Sequence, residues 1–310
     1  MRNFRSQLLE KVGVPASSIT EIHKHLQEQI LAADEVIDLS KLTAFTLKYE
    51  LPVGLRFRVW KLLLGIEDAQ MAPRDYVSAC KEDEYNVLWH SLDVMRKRSN
   101  PDDESNRPTA IDLLRMRLLA DGQLSLNDQE QVSDPRHQPY ICVTNRLLHI
   151  STDPDSASDV YWLSCQMYAR CQMGVSANHE HCRQLTLEFW REFKCVDEQL
   201  HDRVIECKAD MPVDYWMACA LEPLFPCEDT DGDSAVERLW DKIIAGASQP
   251  LIYVLIELLL YVRSYFTDVS PAQFDAKHFC QYLEHEFSSY DQQNVIRHGF
   301  DRWHRQSARR

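Results

Sequence analysis

Apolar residues recur every three to four positions along most of the chain, and this spacing limits the fold more than any other feature of the sequence. Such spacing gathers apolar side chains on one side of a helix. No segment shows the alternation of apolar and polar residues that is typical of a half-buried strand. Only eight of the 310 residues are glycine, roughly a third of the usual share, which suits helices and excludes most glycine-rich phosphate loops. The sequence therefore predicts an all-α protein.

Prolines stand at or near the start of four of the predicted helices, where a missing N–H is best tolerated. Beyond an N-terminal helix around 22–31, we predict helices at 38–49, 55–64, 73–95, 108–120, 140–150, 159–171, 179–207, 212–221, 235–245, 250–266, 271–287 and 291–304. The segment 179–207 is predicted to form one or two helices. The polar stretches 99–108 and 121–139 are predicted to be breaks, the second of them a surface loop.

Acidic residues outnumber basic ones, 48 to 34, which gives a formal net charge of −14. Such a surface repels nucleic-acid phosphates and anionic lipid headgroups, so we expect no nucleic-acid partner. The longest apolar run, 251–262, contains Glu257 and is well short of the roughly 20 residues that span a bilayer, so we expect no membrane insertion. Charged residues within 1–11 argue against a signal peptide, and ten scattered cysteines indicate reduced thiols. Both features predict a cytoplasmic protein.

The sequence carries none of the common catalytic or metal-binding motifs. It has no phosphate loop ending in Gly-Lys-Ser/Thr, no dinucleotide-binding glycine pattern, no nucleophile elbow and no zincin histidine pair. The acidic stretch 228–233 does not fit a calcium loop, because its glycine comes too early and Trp240 occupies the twelfth position. Five residues have side chains that suit zinc but lack the spacing of paired ligands: Cys165, Cys171, His179, His181 and Cys182. We predict packing cysteines, no metal and no cofactor.

Four tryptophans lie inside apolar helical segments, each beside charged neighbours: Trp60, Trp162, Trp216 and Trp240. Large aromatic side chains in such segments usually belong to the core. None of the four has a catalytic group as a neighbour in the sequence. We therefore predict that all four are core residues.

The segment 51–65 resembles the opening signature of TBC domains, the fold of GTPase-activating proteins for Rab GTPases. It contains the Pro52, Leu55-Arg56, Trp60 and Gly65 that recur in that signature. Shorter matches follow in the family's order at 159–162, 215–216 and 238–241. The resemblance implies an all-helical, two-lobed TBC-type domain, divided into a helical extension at 1–49, an N-terminal lobe at 50–209 and a C-terminal lobe at 210–310.

The two catalytic residues of active TBC domains are missing from the matching positions. Such domains supply an arginine from an Ile-x-x-Asp-x-x-Arg motif, which neutralises phosphate charge, and a glutamine from a Tyr-x-Gln motif, which orients the attacking water. Ile150 and Asp153 have the first spacing, but Ser156 stands in the place of the arginine. The only match to the second motif, 290–292, lies far outside the region that serves catalysis in the family. This departure predicts no catalytic residues and favours a protein that is not an enzyme.

Short strings outside the shared signature resemble one branch of the family, the small third subunit of the tuberous sclerosis complex beside hamartin and tuberin. They lie at 2–6, 10–13, 114–116 and 121–124. This resemblance implies a non-catalytic scaffold that binds the hamartin coiled coil. Its indirect partners would be tuberin and Rheb, because tuberin activates GTP hydrolysis on Rheb, and its effect would be negative regulation of mTOR signalling.

Two alternatives stay open at this stage. The first is an active Rab GTPase-activating protein with a non-standard arginine, either Arg136 or Arg146 from the segment before Trp162. The ordinary role of Arg146 would be a helix-flanking side chain whose charged end reaches solvent. The second alternative is a helical adaptor unrelated to GTPases. Only the ordered series of matches to TBC domains argues against it.

The helix at 108–120 has two apolar sides, and one of them is our candidate for partner binding. At 100° per residue, Ile111, Leu114, Leu118 and Leu119 share one side. If that side packs on the core, the opposite side is left exposed and marks an interaction surface. The residues of this opposite side are the predicted contacts of the hamartin helix: Leu113, Met116, Arg117 and Ala120. The alternative is that neighbouring helices bury both sides.

Overall fold

The computed structural model describes residues 16–32, 35–100, 107–151, 157–170, 180–207, 211–226, 235–268 and 274–308. Within these ranges the chain forms helices and no β-strand, and the only sheet-like pairing is an isolated bridge between Val36 and Gln70. The all-α prediction is confirmed. The predicted boundaries between the extension and the two lobes stay a prediction.

The helices of the described ranges succeed one another along the chain. In chain order they are α1 (Ala16–His25, continued by a π-helical turn at Leu26–Ile30), α2 (Leu39–Lys48), α3 (Val53–Leu63), α4 (Met71–Val94), α5 (Ala110–Ala120), α6 (Gln129–Val132), α7 (Gln138–Ile150), α8 (Ala157–Arg170), α9 (Glu180–Val196), α10 (Glu198–Glu206), α11 (Val213–Ala218), α12 (Ala235–Ile244), α13 (Pro250–Tyr261), α14 (Arg263–Asp268), α15 (Ala276–Glu286) and α16 (Ser289–Ser307). Short 3₁₀ turns lie at Pro135–His137 and Glu222–Leu224.

Side-chain caps explain where some of the predicted helices divide or begin. The Asp197 carboxylate accepts the backbone N–H of Leu200 at 2.9 Å, which ends α9 and starts α10. In the same way Asp275 accepts the N–H of Lys277 at 3.1 Å, so α15 begins later than predicted from the proline at 271. The described part of the segment predicted at 179–207, residues 180–207, therefore forms two helices.

The predicted surface loop at 121–139 is wrong in part, because it contains α6, a 3₁₀ turn and the start of α7. One of its acidic residues, Asp128, is held by cations from neighbouring segments. Asp128 accepts hydrogen bonds from Lys97 at 2.8 Å and from Arg115 at 2.6 Å. These contacts stabilise a compact connection where the polar composition alone predicts a solvated loop.

Helix α13 lies at the centre of the molecule, with α16 along one side and α9 and α12 against others. Its residues from Pro250 to Ile256, with Leu258 and Leu259, are buried, and only its last residue, Tyr261, is exposed, which confirms that this apolar run is an interior helix. Its carboxylate, Glu257, accepts a hydrogen bond from Arg302 of α16 at 2.6 Å. Across the described ranges, no helix combines the length and the apolar character that crossing a bilayer requires.

The contact between α13 and α16 depends on a glycine. A β-carbon built on Gly299 would lie 2.8 Å from the Cα and 2.5 Å from the Cγ2 of Val254. Because backbone atoms cannot swing aside, an added methyl group would push the two helices apart. We expect Gly299→Ala to lower the free energy of unfolding by about 1–3 kcal/mol, measured by urea titration.

Gly54 provides the matched control, since a β-carbon there would meet nothing within 4 Å. Alanine favours helix over glycine by up to about 1 kcal/mol, so Gly54→Ala is expected to be neutral or stabilising. Equal stability of the two alanine variants would contradict the close packing of α13 on α16.

Candidate functional site

A buried ion-pair cluster joins α3 to α12. Arg56 of α3 donates from Nε to Asp241 at 3.2 Å and from Nη1 to Glu237 at 2.9 Å. Only 1% of Arg56, 5% of Glu237 and 1% of Asp241 is exposed. Charges removed from water in this way need full pairing, so the cluster fixes α3 against α12.

Two tryptophans complete this cluster. Trp60 donates from its indole Nε1 to the same Asp241 oxygen at 2.8 Å. Its ring centre lies 6.2 Å from that of Trp240, whose own N–H donates to the carbonyl of Ala220 at 3.2 Å. Arg56, Trp60, Trp240 and Asp241, which belong to the segments matched above, thus meet in the core, where they are out of reach of any partner.

Lys242, next to Asp241, anchors the end of α2. Its Nζ donates to the carbonyl oxygens of Thr46 at 2.6 Å and Tyr49 at 2.7 Å. Burial lowers the pKa of Lys242 to about 8, although the nearby Asp241 charge opposes this shift. The ammonium group satisfies C-terminal carbonyls that α2 itself cannot pair, so its role is structural.

The prediction for the tryptophans is confirmed for Trp60, Trp216 and Trp240, which are at most 1% exposed. It is wrong in part for Trp162, which is half-buried at the wall of a cleft of about 310 Å³ between α3, α4 and α8. The Trp162 indole donates to the carbonyl of Lys81 at 3.2 Å. Lys61 and Asp159 form an ion pair of 2.7 Å in the same cleft.

Arg146, one of the two arginines considered as a replacement catalytic residue, is 3% exposed. The expectation that its charged end reaches solvent is wrong. The residue lies on α7 near Glu222, whose carboxylate accepts a hydrogen bond from the Cys142 thiol at 2.7 Å. Burial raises the pKa of Glu222, against the opposing effects of the Cys142 hydrogen bond and the Arg146 charge. A guanidinium in this position cannot extend into another protein's active site.

Arg136, the other arginine considered, has a largely exposed side chain that is held by its neighbour Asp134. Its Nε and Nη2 lie 2.7 and 2.5 Å from the same Asp134 oxygen. Chiefly through this hydrogen bond, the pKa of Asp134 falls to about 2. Both side chains therefore stay charged at neutral pH, and the Arg136 guanidinium is already paired with Asp134.

Gln292, the glutamine of the Tyr-x-Gln match at 290–292, is a buried structural residue. It is 3% exposed, and its amide donates to the carbonyls of Phe287 at 3.1 Å and Pro226 at 3.3 Å. It therefore has no access to a water molecule in a partner's active site. Asp153 and Ser156, from the arginine-motif match, lie outside the described residues.

The predicted partner-binding side of α5 is not exposed. Leu113 and Met116 are both 0% exposed, so the prediction that they present an apolar stripe is wrong. The physical reason is that α4 and α7 both pack on α5 and bury both of its apolar sides. The Arg117 guanidinium lies 3.9 Å from the ring centre of Tyr168, and Ala120 is exposed alone. The structure therefore agrees with the alternative prediction, in which neighbouring helices bury both apolar sides of this helix.

The cysteines and histidines considered as zinc ligands are only partly described. Cys171 and His179 lie outside the described residues, as does the acidic stretch 228–233. Burial raises the pKa of both Cys165 and Cys182 to about 11, which opposes the thiolate form that binds metal. Among the residues that the structure places, no three His, Cys, Asp or Glu side chains form a group able to hold a metal ion.

Comparisons with known proteins find relatives that match most of the chain and a solved structure with a similar fold. No protein-family model matches the chain. TBC1 domain family member 7 of Homo sapiens is 26% identical over 306 residues, covering 98% of this chain and 95% of that protein. The same-named protein of Danio rerio is 27% identical over 314 residues, with the same coverage. Among solved structures, the Ypt/Rab-GAP domain of Gyp1p superposes with a TM-score of 0.58 at 14% identity, covering 91% of this chain and 97% of that one.

Proposed function

We propose that this chain, which is similar over 98% of its length to TBC1 domain family member 7 and shares the fold of a Rab-GAP domain, is a non-catalytic scaffold subunit of the tuberous sclerosis complex. In this role it binds the hamartin coiled coil and supports the activation of GTP hydrolysis on Rheb by tuberin. The consequence for the cell is restraint of mTOR signalling, exerted in the cytoplasm.

The burial of the candidate catalytic residues is the observation that supports this proposal. Arg146 and Gln292 are both 3% exposed and face the interior of their own protein. A GTPase-activating protein must place its arginine and glutamine in the active site of another molecule. Loss of the arginine alone lowers the rate of GTP hydrolysis by about 10³- to 10⁵-fold. Without that catalytic contribution, binding to another protein is the function that we expect of this chain.

The second candidate function is an active Rab GTPase-activating protein with non-standard residues, and the exposure of Arg136 is what favours it. Its side chain is 64% exposed. To act in catalysis it would first have to leave Asp134, whose carboxylate it already contacts. An assay of GTP hydrolysis distinguishes this alternative from the scaffold role.

The purified protein is expected to give no acceleration of GTP hydrolysis by Rab GTPases. The reason is the absence of an available arginine finger among the candidates, Arg136 and Arg146. The measurement is single-turnover phosphate release from a panel of GTP-loaded Rabs, with the Gyp1p domain as the active reference.

Two variants make this assay decisive. Arg191→Ala removes another exposed arginine, 65% exposed on α9, and serves as the control for a general change in surface charge. Hundredfold acceleration by the parent protein that Arg136→Ala abolishes and Arg191→Ala leaves intact would establish the catalytic alternative. The scaffold role itself is tested by measuring binding of the purified chain to the hamartin coiled coil by calorimetry, where absence of binding refutes it.

A further inference from the structure

A cavity of about 450 Å³ lies between helix α15 and the segment that begins with the 3₁₀ turn at Glu222–Leu224. Ligand pockets in proteins have volumes of about 300–1,000 Å³ and mostly apolar walls. The apolar wall of this cavity consists of Pro223, Phe225, Pro226, Cys280 and Phe287. The two phenylalanine rings are at most 3% exposed, so the core holds them in place. The cavity therefore has the size and the wall of a binding site.

Two carboxylates line this cavity together with the apolar wall. They belong to Glu222, which is half-buried, and to Glu284 of α15, which is exposed. Among the described residues, the lining contains no lysine, arginine or histidine. Burial raises the pKa of the Cys280 thiol to about 11, and the charges of Glu284 and Glu222 add to this shift. Both carboxylates therefore act on the same part of the cavity and make it negative.

The Glu222 carboxylate is only partly compensated by its own protein. It accepts a hydrogen bond from the Cys142 thiol at 2.7 Å, and the charge of the buried Arg146 acts on it from the interior. Burial still raises the pKa of Glu222, because these two contacts do not replace all the hydration that the ionised carboxylate loses. A cation that entered the cavity would stabilise the ionised form.

The combination of carboxylates with an apolar wall favours an arginine side chain as the ligand. The planar guanidinium has five N–H donors and can pair with carboxylates through two parallel hydrogen bonds, while its methylene stem packs on apolar surface such as the proline rings. A lysine ammonium is a compact and strongly hydrated charge that cannot form such paired contacts.

The charge of the cavity also favours a peptide over the free amino acid. Free arginine would bring its α-carboxylate towards Glu222 and Glu284, whereas the same carbon in a peptide carries a neutral amide. The acidic stretch 228–233, which follows Pro226 in the sequence, contains no basic residue. That stretch therefore does not supply the cation, and the ligand has to come from elsewhere.

We infer that this cavity binds the side chain of an arginine in a peptide segment of another protein. The carboxylates of Glu222 and Glu284 pair with the guanidinium, and Pro223, Pro226 and Cys280 contact its stem. This inference goes beyond the proposed function, because it gives the chain a second binding site that does not depend on hamartin.

Binding of a labelled peptide to the full chain tests this site. The probe is a fluorescein-labelled pentapeptide with blocked ends and one arginine between alanines, and its binding is followed by fluorescence anisotropy. Citrulline in place of the arginine keeps the shape of the side chain and removes its charge. The citrulline peptide is expected to bind about tenfold more weakly, because charge-assisted hydrogen bonds are the stronger ones. A lysine peptide is expected to bind about threefold more weakly than the arginine peptide, since it lacks the paired contacts.

Glu284→Gln tests the same contact on the protein. Because Glu284 is exposed, the variant is expected to keep the parent's melting temperature while its Kd for the arginine peptide rises by about tenfold. Glu198→Gln is the matched control, since it removes the same charge from a side chain that is 71% exposed on α10 and lies outside the cavity lining. It is expected to bind like the parent. Glu222→Gln is a second variant, whose amide oxygen can still accept the Cys142 hydrogen bond, and it is expected to weaken binding in the same way.

Other results would overturn the inference. Equal binding of the arginine and lysine peptides, or equal weakening by Glu284→Gln and Glu198→Gln, would show only the general attraction of cations to a protein of net charge −14. If free L-arginine displaced the probe as effectively as the unlabelled peptide does, the cavity would be a small-molecule site. A parent chain that does not bind the probe would refute the site and leave the scaffold role, which is measured with hamartin, unaffected.

Discussion

Arg56→Ala is expected to lower the free energy of unfolding by about 3–5 kcal/mol, because it leaves buried carboxylates without their cation. Glu237 and Asp241 are 5% and 1% exposed, so water cannot replace the lost guanidinium. Arg56→Lys is expected to recover only part of the loss, since one ammonium group cannot reproduce the separate contacts from Nε and Nη1. Urea titration monitored by circular dichroism measures both variants.

Arg58, two residues further along α3, is the control. Its side chain is 40% exposed and lies 3.8 Å from Glu67, which keeps a second partner in Arg74 at 3.1 Å. Arg58→Ala is expected to change stability by less than about 1 kcal/mol. If Arg56→Ala were as mild as Arg58→Ala, the buried cluster would not be what holds α3 against α12.

Leu113→Ala is expected to cost about 2–5 kcal/mol, because it leaves a cavity between α5 and its neighbours. Leu126→Ala removes the same atoms from a side chain that is 97% exposed and is expected to change stability by no more than about 0.5 kcal/mol. Thermal and urea unfolding of the two variants give the comparison.

These two variants also decide between the core and interface roles of α5. A Leu113→Ala protein with the parent's stability and weakened hamartin binding would show that Leu113 contacts the partner after all. The expected result is the opposite, with a large loss of stability that is independent of any partner.

The sequence predicts helices here more reliably than it predicts which helix sides are covered. Periodicity depends on residues close together in the chain, so α13 and most of the other helices are recognisable from the spacing of apolar residues. Whether Leu113 is exposed depends instead on α4 and α7, which the sequence of α5 does not contain.

The candidate catalytic residues show the same limit. Arg146 and Gln292 are polar, and a polar residue is predicted to lie at the surface by its type alone. Each is buried by elements distant in the sequence: Gln292 donates to Pro226, 66 residues away. Residue type indicates what chemistry a side chain can perform, whereas access to a partner is a property of the assembled fold.

The Arg56 cluster has a consequence for the order in which the molecule can be made. Arg56 and Asp241 are separated by 185 positions, so a nascent chain exposes the arginine and Trp60 long before their acceptor is synthesised. Until α12 has left the ribosome, α3 carries a cation that has no buried counter-ion. The packing of α3 on α12 therefore cannot be completed until the second half of the chain is available, which makes this contact one of high sequence separation.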